Sequence, residues 1–373
     1  MWIVLAGGAL LGSLLVGSAA AAAPHLADSS STVPAAAWGP PTEISGVPGG
    51  FGTLFGVSCT AVGECTAVGD DGNEEPFSVT ETGGVWGSPT EISGALGGSG
   101  QLRAVSCPAV GECTAVGFDG NYEPLSVTQT AGIWGPATEI SDAPAGYGLL
   151  FGVSCTAVRE CTAVGDDGNA EPFSVTERGA AWGSPTEIPG VPGRYGYIHG
   201  VSCTGVGECT AVGDDGHGKP FYATQTRGVW GSPTEIPGAP GGHGSLRGVS
   251  CIVVGKCTAV GYDGNHEPMY VIETRGQWGS PTEIAGTPGG FGYLQGVSCT
   301  AVGQCTAVGF NADGEPLSET QTAGAWGSPT EIAGATGYSA LYGVNCTAVG
   351  ECTAVGYGGN HDPMYVTETP SGG

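Results

Sequence analysis

Lysine is nearly missing from this chain. Lys219 and Lys256 are the only two, and all basic residues together number 9 against 35 aspartates and glutamates. The net charge of −26 leaves no basic patch, so nucleic acid and anionic lipid are poor partners. Cations, basic proteins and neutral glycans remain open, and the plainest use of the charge is to keep copies of a Gly-rich β-protein apart. No window shows a sustained 3.6-residue apolar period, which argues against helices. Beyond the N-terminus no segment is apolar for long enough to span a bilayer. A Ser-His-Asp elbow, a phosphate-cradling Gly loop and a paired zinc motif are all lacking.

What is present is a repeat. Trp38, Trp86, Trp134, Trp182, Trp230, Trp278 and Trp326 stand 48 residues apart. Cysteine pairs keep the same step: Cys59 and Cys65, Cys107 and Cys113, Cys155 and Cys161, Cys203 and Cys209, Cys251 and Cys257, Cys299 and Cys305, with Cys346 and Cys352 one residue early. A period of this length fixes the architecture before any local feature does. The 72 glycines and 26 prolines fall at fixed places in each copy, so they read as turn residues and not as disorder.

Within the copy that begins at Trp86, four strand candidates are separated by turn signals. They are Trp86–Ile92, Leu102–Cys107, Cys113–Gly117 and Pro124–Thr130. Four strands in about 45 residues is the unit of a propeller blade. The predicted fold is therefore all-β, a seven-bladed β-propeller with strands a to d from the axis outward. The chain opens on a d strand at Trp38 and ends on a c strand near Thr369. The N-terminal strand then completes the last blade, which leaves no open sheet edge in the ring.

Each cysteine pair flanks the a–b turn, the first cysteine ending strand a and the second starting strand b, so the prediction is one disulfide per blade. Fourteen paired cysteines point to an oxidising compartment. Residues 1–23 read as a signal peptide with cleavage near Ala21 to Ala23, although no lysine or arginine precedes the apolar run. Residues 24–37 read as a linker and 38–373 as the propeller. Secretion is expected, with a membrane anchor as the alternative if the N-terminal segment is retained. A monomer is expected.

The d–a connections and b–c loops share one rim, and there the copies differ from one another. The strand-a residue before Gly or Ala runs Phe55, Arg103, Phe151, His199, Arg247, Gln295, Tyr342. The d–a connections add Tyr147, Arg194, Tyr195, Phe291 and Tyr338. These twelve are the candidate ligand-binding residues, since aromatic faces stack on sugar rings or peptide side chains and Arg grips carboxylates. Acids recur in the b–c loops, among them Asp70, Asp71, Asp119, Asp166, Asp167, Asp214, Asp215, Asp263 and Asp313. Their recurrence with Gly and Asn suits tight turns better than a calcium loop or a unique catalytic pair. No catalytic residue, metal ligand or cofactor is assigned.

The run Gly-Val-Ser-Cys-Thr-Ala-Val-Gly-Glu-Cys-Thr-Ala-Val-Gly at Gly56–Gly69, found again at Gly343–Gly356 with Asn345 for Ser, resembles repeats of secreted actinobacterial β-propeller proteins. The resemblance covers residues 38 to 369 and implies export and a propeller, with no settled activity. The functional expectation is a non-catalytic binding propeller for carbohydrate or an extracellular protein on that rim. The alternatives are a polysaccharide-active glycoside hydrolase or lyase and an inert structural module.

Overall fold

Val, Thr, Phe and Tyr alternate with small or polar residues in each copy, and Gly-rich turns cut the chain every five to ten residues, a pattern that produces short antiparallel strands. The computed structural model describes residues 36–370; the expected signal peptide and most of the expected linker lie outside them. Seven separate antiparallel sheets form, each in the order a-b-c-d. In blade 1, strand a is Gly52–Ala61, b is Glu64–Asp71 and c is Pro76–Thr82. Strand a begins at Gly100, Gly148, Gly196, Gly244, Gly292 and Ala340 in blades 2 to 7.

The outermost strand differs from its expected form. It is interrupted, with Val85–Trp86 and Thr90–Glu91 both pairing with strand c. Glu81 faces Trp86, and Ser78 faces Thr90, so three residues on strand d span two on strand c. This is a bulge, and Pro89 lies within it, where no ladder donor is needed. A kinked and proline-bearing edge resists pairing with other molecules.

The ring closes as the sequence predicts. Ala36–Trp38 pairs with Pro363–Pro370 in the register Ala36↔Pro370 and Trp38↔Glu368, and Thr42–Glu43 pairs further along the same strand. Blade 7 is thus built from both ends of the described chain. Its first strand takes in Ala36 and Ala37, two residues upstream of the expected boundary.

Side chains from adjacent sheets fill the spaces between blades. Val68 of blade 1 packs with Leu102, Ala115, Leu125 and Val127 of blade 2, with Trp134 along the edge. Trp86 covers the seam between blades 1 and 7, its ring 5.2 Å from that of Tyr365. Burying a leucine such as Leu102 in this way contributes about 2–3 kcal/mol.

A ring of hydrogen bonds ties the inner strands together. The Cys107 amide donates to Ser58 Oγ of the preceding blade at 3.0 Å, and the same bond recurs at Cys155, Cys203, Cys251, Cys299 and Cys346. At the closing junction Asn345 stands in for serine, and its Oδ1 accepts from the Cys59 amide at 3.1 Å.

All seven predicted disulfides are present: Cys59 with Cys65, Cys107 with Cys113, Cys155 with Cys161, Cys203 with Cys209, Cys251 with Cys257, Cys299 with Cys305 and Cys346 with Cys352. No cysteine is free among the described residues. Cys155 lies directly opposite Cys161 in the a–b ladder, so the bond staples a hairpin already in register.

The placement of these cysteines within their strands departs from the expectation. Strand a does not end at its cysteine but runs on to Ala61 in blade 1 and to Gly205, Val253 and Ala301 in blades 4 to 6. Strand b starts one residue before its cysteine, so Cys209, Cys257 and Cys305 follow Glu208, Lys256 and Gln304 and are not the first residues of their strands. The cause is a register shift past the bridge. Cys203 faces Cys209 and Gly205 faces Glu208, which leaves Thr204 over as a bulge and lets the ladder continue beyond the sulfurs. The strand-b cysteines are consequently interior, with Cys209 at 2% exposure and Cys257 and Cys305 at 3%.

Seven bridges suit an oxidising extracellular environment. No helix among the described residues is long and apolar enough to cross a membrane. Replacing Cys155 and Cys161 together by serine is expected to cost about 2 kcal/mol through the restored freedom of the unfolded loop. Urea midpoints at constant m measure this, and an unchanged midpoint refutes it.

Candidate functional site

The rim positions owe their geometry to a bulge. Along the a–b ladder of blade 1, Leu54 faces Gly69 and Gly56 faces Val68, which leaves Phe55 as an extra residue. Arg103, Phe151, His199, Arg247, Gln295 and Tyr342 are the extra residues of the other blades. A bulge re-aims a side chain out of the strict alternation of a strand. Here seven half-buried side chains are turned to the axial end of the sheets. The bulge demands glycine across the ladder, because a Cβ on Gly69 would sit 1.8 Å from the Thr53 carbonyl oxygen. The disulfides lie at the opposite end of the same two strands, so they stabilise the blade and take no part in the ring.

The strand-b residue beside each bulge completes the ring: Asp70, Phe118, Asp166, Asp214, Tyr262, Phe310 and Tyr357. The sequence expectation places these at the start of a loop and leaves the four aromatics out of the site. Strand b in fact continues through them, as in Glu112–Asp119. The signal was available, since this position also changes from copy to copy amid constant neighbours.

The ring divides into two arcs. Tyr262 and Tyr293 meet at 5.0 Å between ring centroids, Tyr293 and Phe310 at 5.3 Å, and Phe310 and Tyr342 at 6.5 Å. Phe55 follows at 5.4 Å from Tyr342, and the Arg103 guanidinium lies 4.1 Å over the Phe55 ring. Blades 5 to 7, 1 and 2 thus present a nearly continuous aromatic surface with Arg103 over one end and Arg247, 5.4 Å from the Tyr262 ring, over the other.

Blades 3 to 5 hold the other arc, which is polar apart from Phe151, 6.2 Å from the His199 ring. His199 Nε2 donates to Asp214 Oδ1 at 2.9 Å, and Ser245 Oγ donates to the same oxygen at 2.5 Å. Arg247 Nη1 donates to His199 Nδ1 at 3.3 Å, and its Nη2 donates to the Tyr262 hydroxyl at 3.0 Å. These partners assign the neutral tautomer with the proton on Nε2. Burial lowers the His199 pKa, and Arg247 lowers it further against the pull of Asp214. For Asp214 burial works upward, but the hydrogen bonds from His199 and Ser245 and the attraction of the nearby Arg247 cation outweigh it, so its pKa is lowered.

Asp166 is the counterpart in blade 3. It is buried, and no donor reaches its Oδ1. Burial pushes its carboxyl up to about 8, with Asp167 and Asp214 adding to the rise and the Ile198 backbone opposing it. Asp70 is raised to about 6, again by burial first, against the attraction of Arg103. The arc therefore offers one anionic carboxylate, Asp214, near a carboxyl held neutral at pH 7.

The other five candidates stand outside this ring. Tyr147 and Tyr195 are exposed and lie over the b–c turns, where a Cβ on Gly168 or Gly216 would meet their rings at 2.6 Å. Tyr147 also donates to the Gly168 carbonyl at 3.0 Å. Tyr338 lies against Gly314 in the same manner, and Phe291 meets the His266 ring edge-on at 6.2 Å. Arg194 occupies a turn position where blades 1 to 3 have glycine, with φ of +80°. The four aromatics fasten the d–a connections to the b–c loops and remain exposed to solvent.

The aspartate that ends strand b in blades 1 to 5 is a turn residue, as the sequence predicts. Asp71 Oδ1 accepts from the amides of Asn73 and Glu75 at 2.8 and 3.0 Å, an arrangement that pins the turn.

Enclosed volume lies elsewhere. A cavity of about 280 Å³ separates blades 7 and 1 beside Cys59, Glu81 and Glu368. Open grooves of about 510 and 450 Å³ flank Trp134 between outer strands. None is lined by the ring. These clefts lie between neighbouring sheets and are walled mainly by the repeated Trp, Gly, Ser and Thr positions.

No family model matches the chain, and no curated protein matches it. Solved structures do. The BP39L lectin of Burkholderia pseudomallei is similar at 15% identity and a TM-score of 0.63, over 85% of this chain and 96% of that one. YCF48 of Cyanidioschyzon merolae is similar at 14% identity and a TM-score of 0.59, over 90% and 100%. A YCF48 structure with bound D1 peptide gives 14% identity and a TM-score of 0.58, over 91% and 99%. At such identities the likeness is one of fold alone, and this chain shares the propeller architecture of those proteins.

Proposed function

We propose that this chain is an exported, non-catalytic binding propeller that takes a carbohydrate or protein ligand at the axial ring of its d–a/b–c rim. The observation that carries the reading is the bulge. It repeats in every blade, yet the seven side chains it presents are of five kinds. A scaffold that keeps the geometry and varies the presented group is suited to recognition. The aromatic arc offers stacking faces, and Asp70, Asp214 and Arg103 offer hydrogen bonds at its border. The lectin and peptide-bound neighbours lend support from the fold only. Export accords with the seven disulfides and with the apolar N-terminal residues, and the actinobacterial repeat resemblance points the same way.

A glycan array and a panel of basic peptides will identify the ligand class. Tyr342→Ala and Tyr262→Ala are each expected to weaken binding about 10- to 100-fold, the range for an aromatic anchor. Tyr147→Ala is expected to change it less than about threefold, as suits a residue peripheral to the contact. Equal losses at all three positions, or none, defeat the assignment to the ring.

One observation favours a second reading. Asp166 and Asp214 have pKa values moved in opposite directions, which is the division of labour of an acid and a base in glycoside cleavage. Hydrolysis assays on polysaccharides decide between the readings. Product release abolished by Asp214→Asn replaces the binding assignment, and binding without product sustains it.

A further inference from the structure

The turn aspartates are not fully accounted for by their turns. Asp71 and Asp167 are buried, at 3% and 5% exposure. One oxygen of each accepts two backbone amides. The other, Oδ2, is equally shut from solvent, and no hydrogen-bond donor reaches it. A buried carboxylate oxygen with no partner carries a full desolvation cost.

In place of donors, further acids surround it. A carboxylate oxygen from each of Asp71, Glu75 and Glu91 lies within 4.8 Å of the others, and Asp167, Glu171 and Glu187 converge in the same way. Glu91 and Glu187 reach in from the outer strand d, while the remaining residues belong to the b–c segment. Two sequence-distant parts of the blade thus bring like charges together, which is unfavourable unless a positive charge joins them.

Blade 6 supplies an internal control. Asn311 replaces the aspartate there and makes the same two turn bonds through Oδ1. Its Nδ2, in the position of the orphan oxygen, donates to Glu331 Oε1 at 2.9 Å. The amide provides the hydrogens that the aspartate blades lack at this point. The same unpartnered Oδ2 recurs at Asp119, Asp215 and Asp263, but among the described residues three carboxylates converge only in blades 1 and 3; blade 4 has Lys219 in place of the first glutamate, and blade 7 has Gly358 in place of the aspartate.

We propose that blades 1 and 3 each bind one calcium ion, held by Asp71, Glu75 and Glu91 in blade 1 and by Asp167, Glu171 and Glu187 in blade 3. Calcium accepts six to eight oxygens at about 2.4 Å, a radius at which one ion bridges oxygens spaced as these are. Three carboxylates leave the remaining positions to water on the exposed side of Glu91 and Glu187. Carboxylate ligands exclude the soft metals, and the loose half-open geometry suits calcium better than magnesium.

Equilibrium dialysis of the chelator-stripped, full chain against calcium chloride alone tests this, with bound metal counted per chain. Two ions are expected, with dissociation constants on the order of 10⁻⁴–10⁻³ M, as for extracellular modules. The double variant Asp71→Asn/Asp167→Asn copies the residue already tolerated in blade 6 and is expected to lose both. If the double variant fails to fold, Glu91→Gln/Glu187→Gln on the outer strand serves in its place. A stripped protein that takes up no calcium at about 10 mM overturns the proposal, as does a folded double variant that retains both ions.

Discussion

Replacing Glu319 with valine is expected to stabilise the protein by about 2–4 kcal/mol, which raises the melting temperature by roughly 3–6 °C for a domain of this size. Valine or alanine fills the same strand-c position in every other blade, as Val79, Val127, Val175, Ala223, Val271 and Val366. Glu319 is 2% exposed, faces Ala307 across the ladder, and neither of its carboxylate oxygens has a partner. Burial alone pushes its pKa from 4.5 up to about 8. The folded state therefore holds a proton that the unfolded chain releases. The stability linked to that proton is fully present below about pH 4.5 and is lost as pH rises through about 8. The advantage of Glu319→Val should accordingly be larger at pH 8 than at pH 5. Melting curves of both proteins at the two pH values measure it. A lower midpoint for the variant, or a gain that shrinks toward pH 8, contradicts this account.

Deleting residues 36–44 is expected to cost about 5 kcal/mol or more and to promote association. The deletion removes Trp38 and Ile44, each of which contributes about 2–3 kcal/mol by burial. Trp38 packs against the core of blade 7, and Ile44 is 6% exposed within that of blade 1. It also strips the pairing from Pro363–Pro370, which leaves an open edge that other chains can extend. Urea denaturation with size-exclusion chromatography reads both effects, and a peptide of the deleted residues added in trans should restore the monomer. A truncated protein with an unchanged midpoint and elution volume means that closure contributes little.

Much of this molecule was legible in its sequence because the repeat averages out local ambiguity. Seven copies of one turn pattern fixed the blade, and the unmatched strands at Trp38 and Thr369 fixed the phase. The cysteine spacing was enough to place each bridge across a hairpin, though not to show that strand b begins ahead of Cys209, Cys257 and Cys305, since the bulge at Thr204 and its equivalents leaves no periodic trace. Other local detail was equally hidden. The strand-a bulge at the ring depends on close contact between Gly69 and the Thr53 carbonyl, which no periodicity reveals. Strand b continues through Phe118 and Asp119, where Asp-Gly-Asn had signalled a turn two residues early. As a result, paired acids such as Asp166 and Asp167 looked equivalent. Alternation along the strand sends the first to the ring and the second into the turn. Glu319 was visible as an exception among valines, but only the surrounding core gave that exception an energetic meaning.

The pairing of Ala36 with Pro370 has a topological corollary. At the corresponding place in blade 1, Thr82 and Val85 pair across a two-residue link, Gly83-Gly84. The break in blade 7 is therefore a hairpin of the same kind left unsealed. Seen so, the polypeptide has no privileged starting blade: sealing that gap and cutting at any other c–d hairpin would yield a circular permutant with the same sheets in the same order.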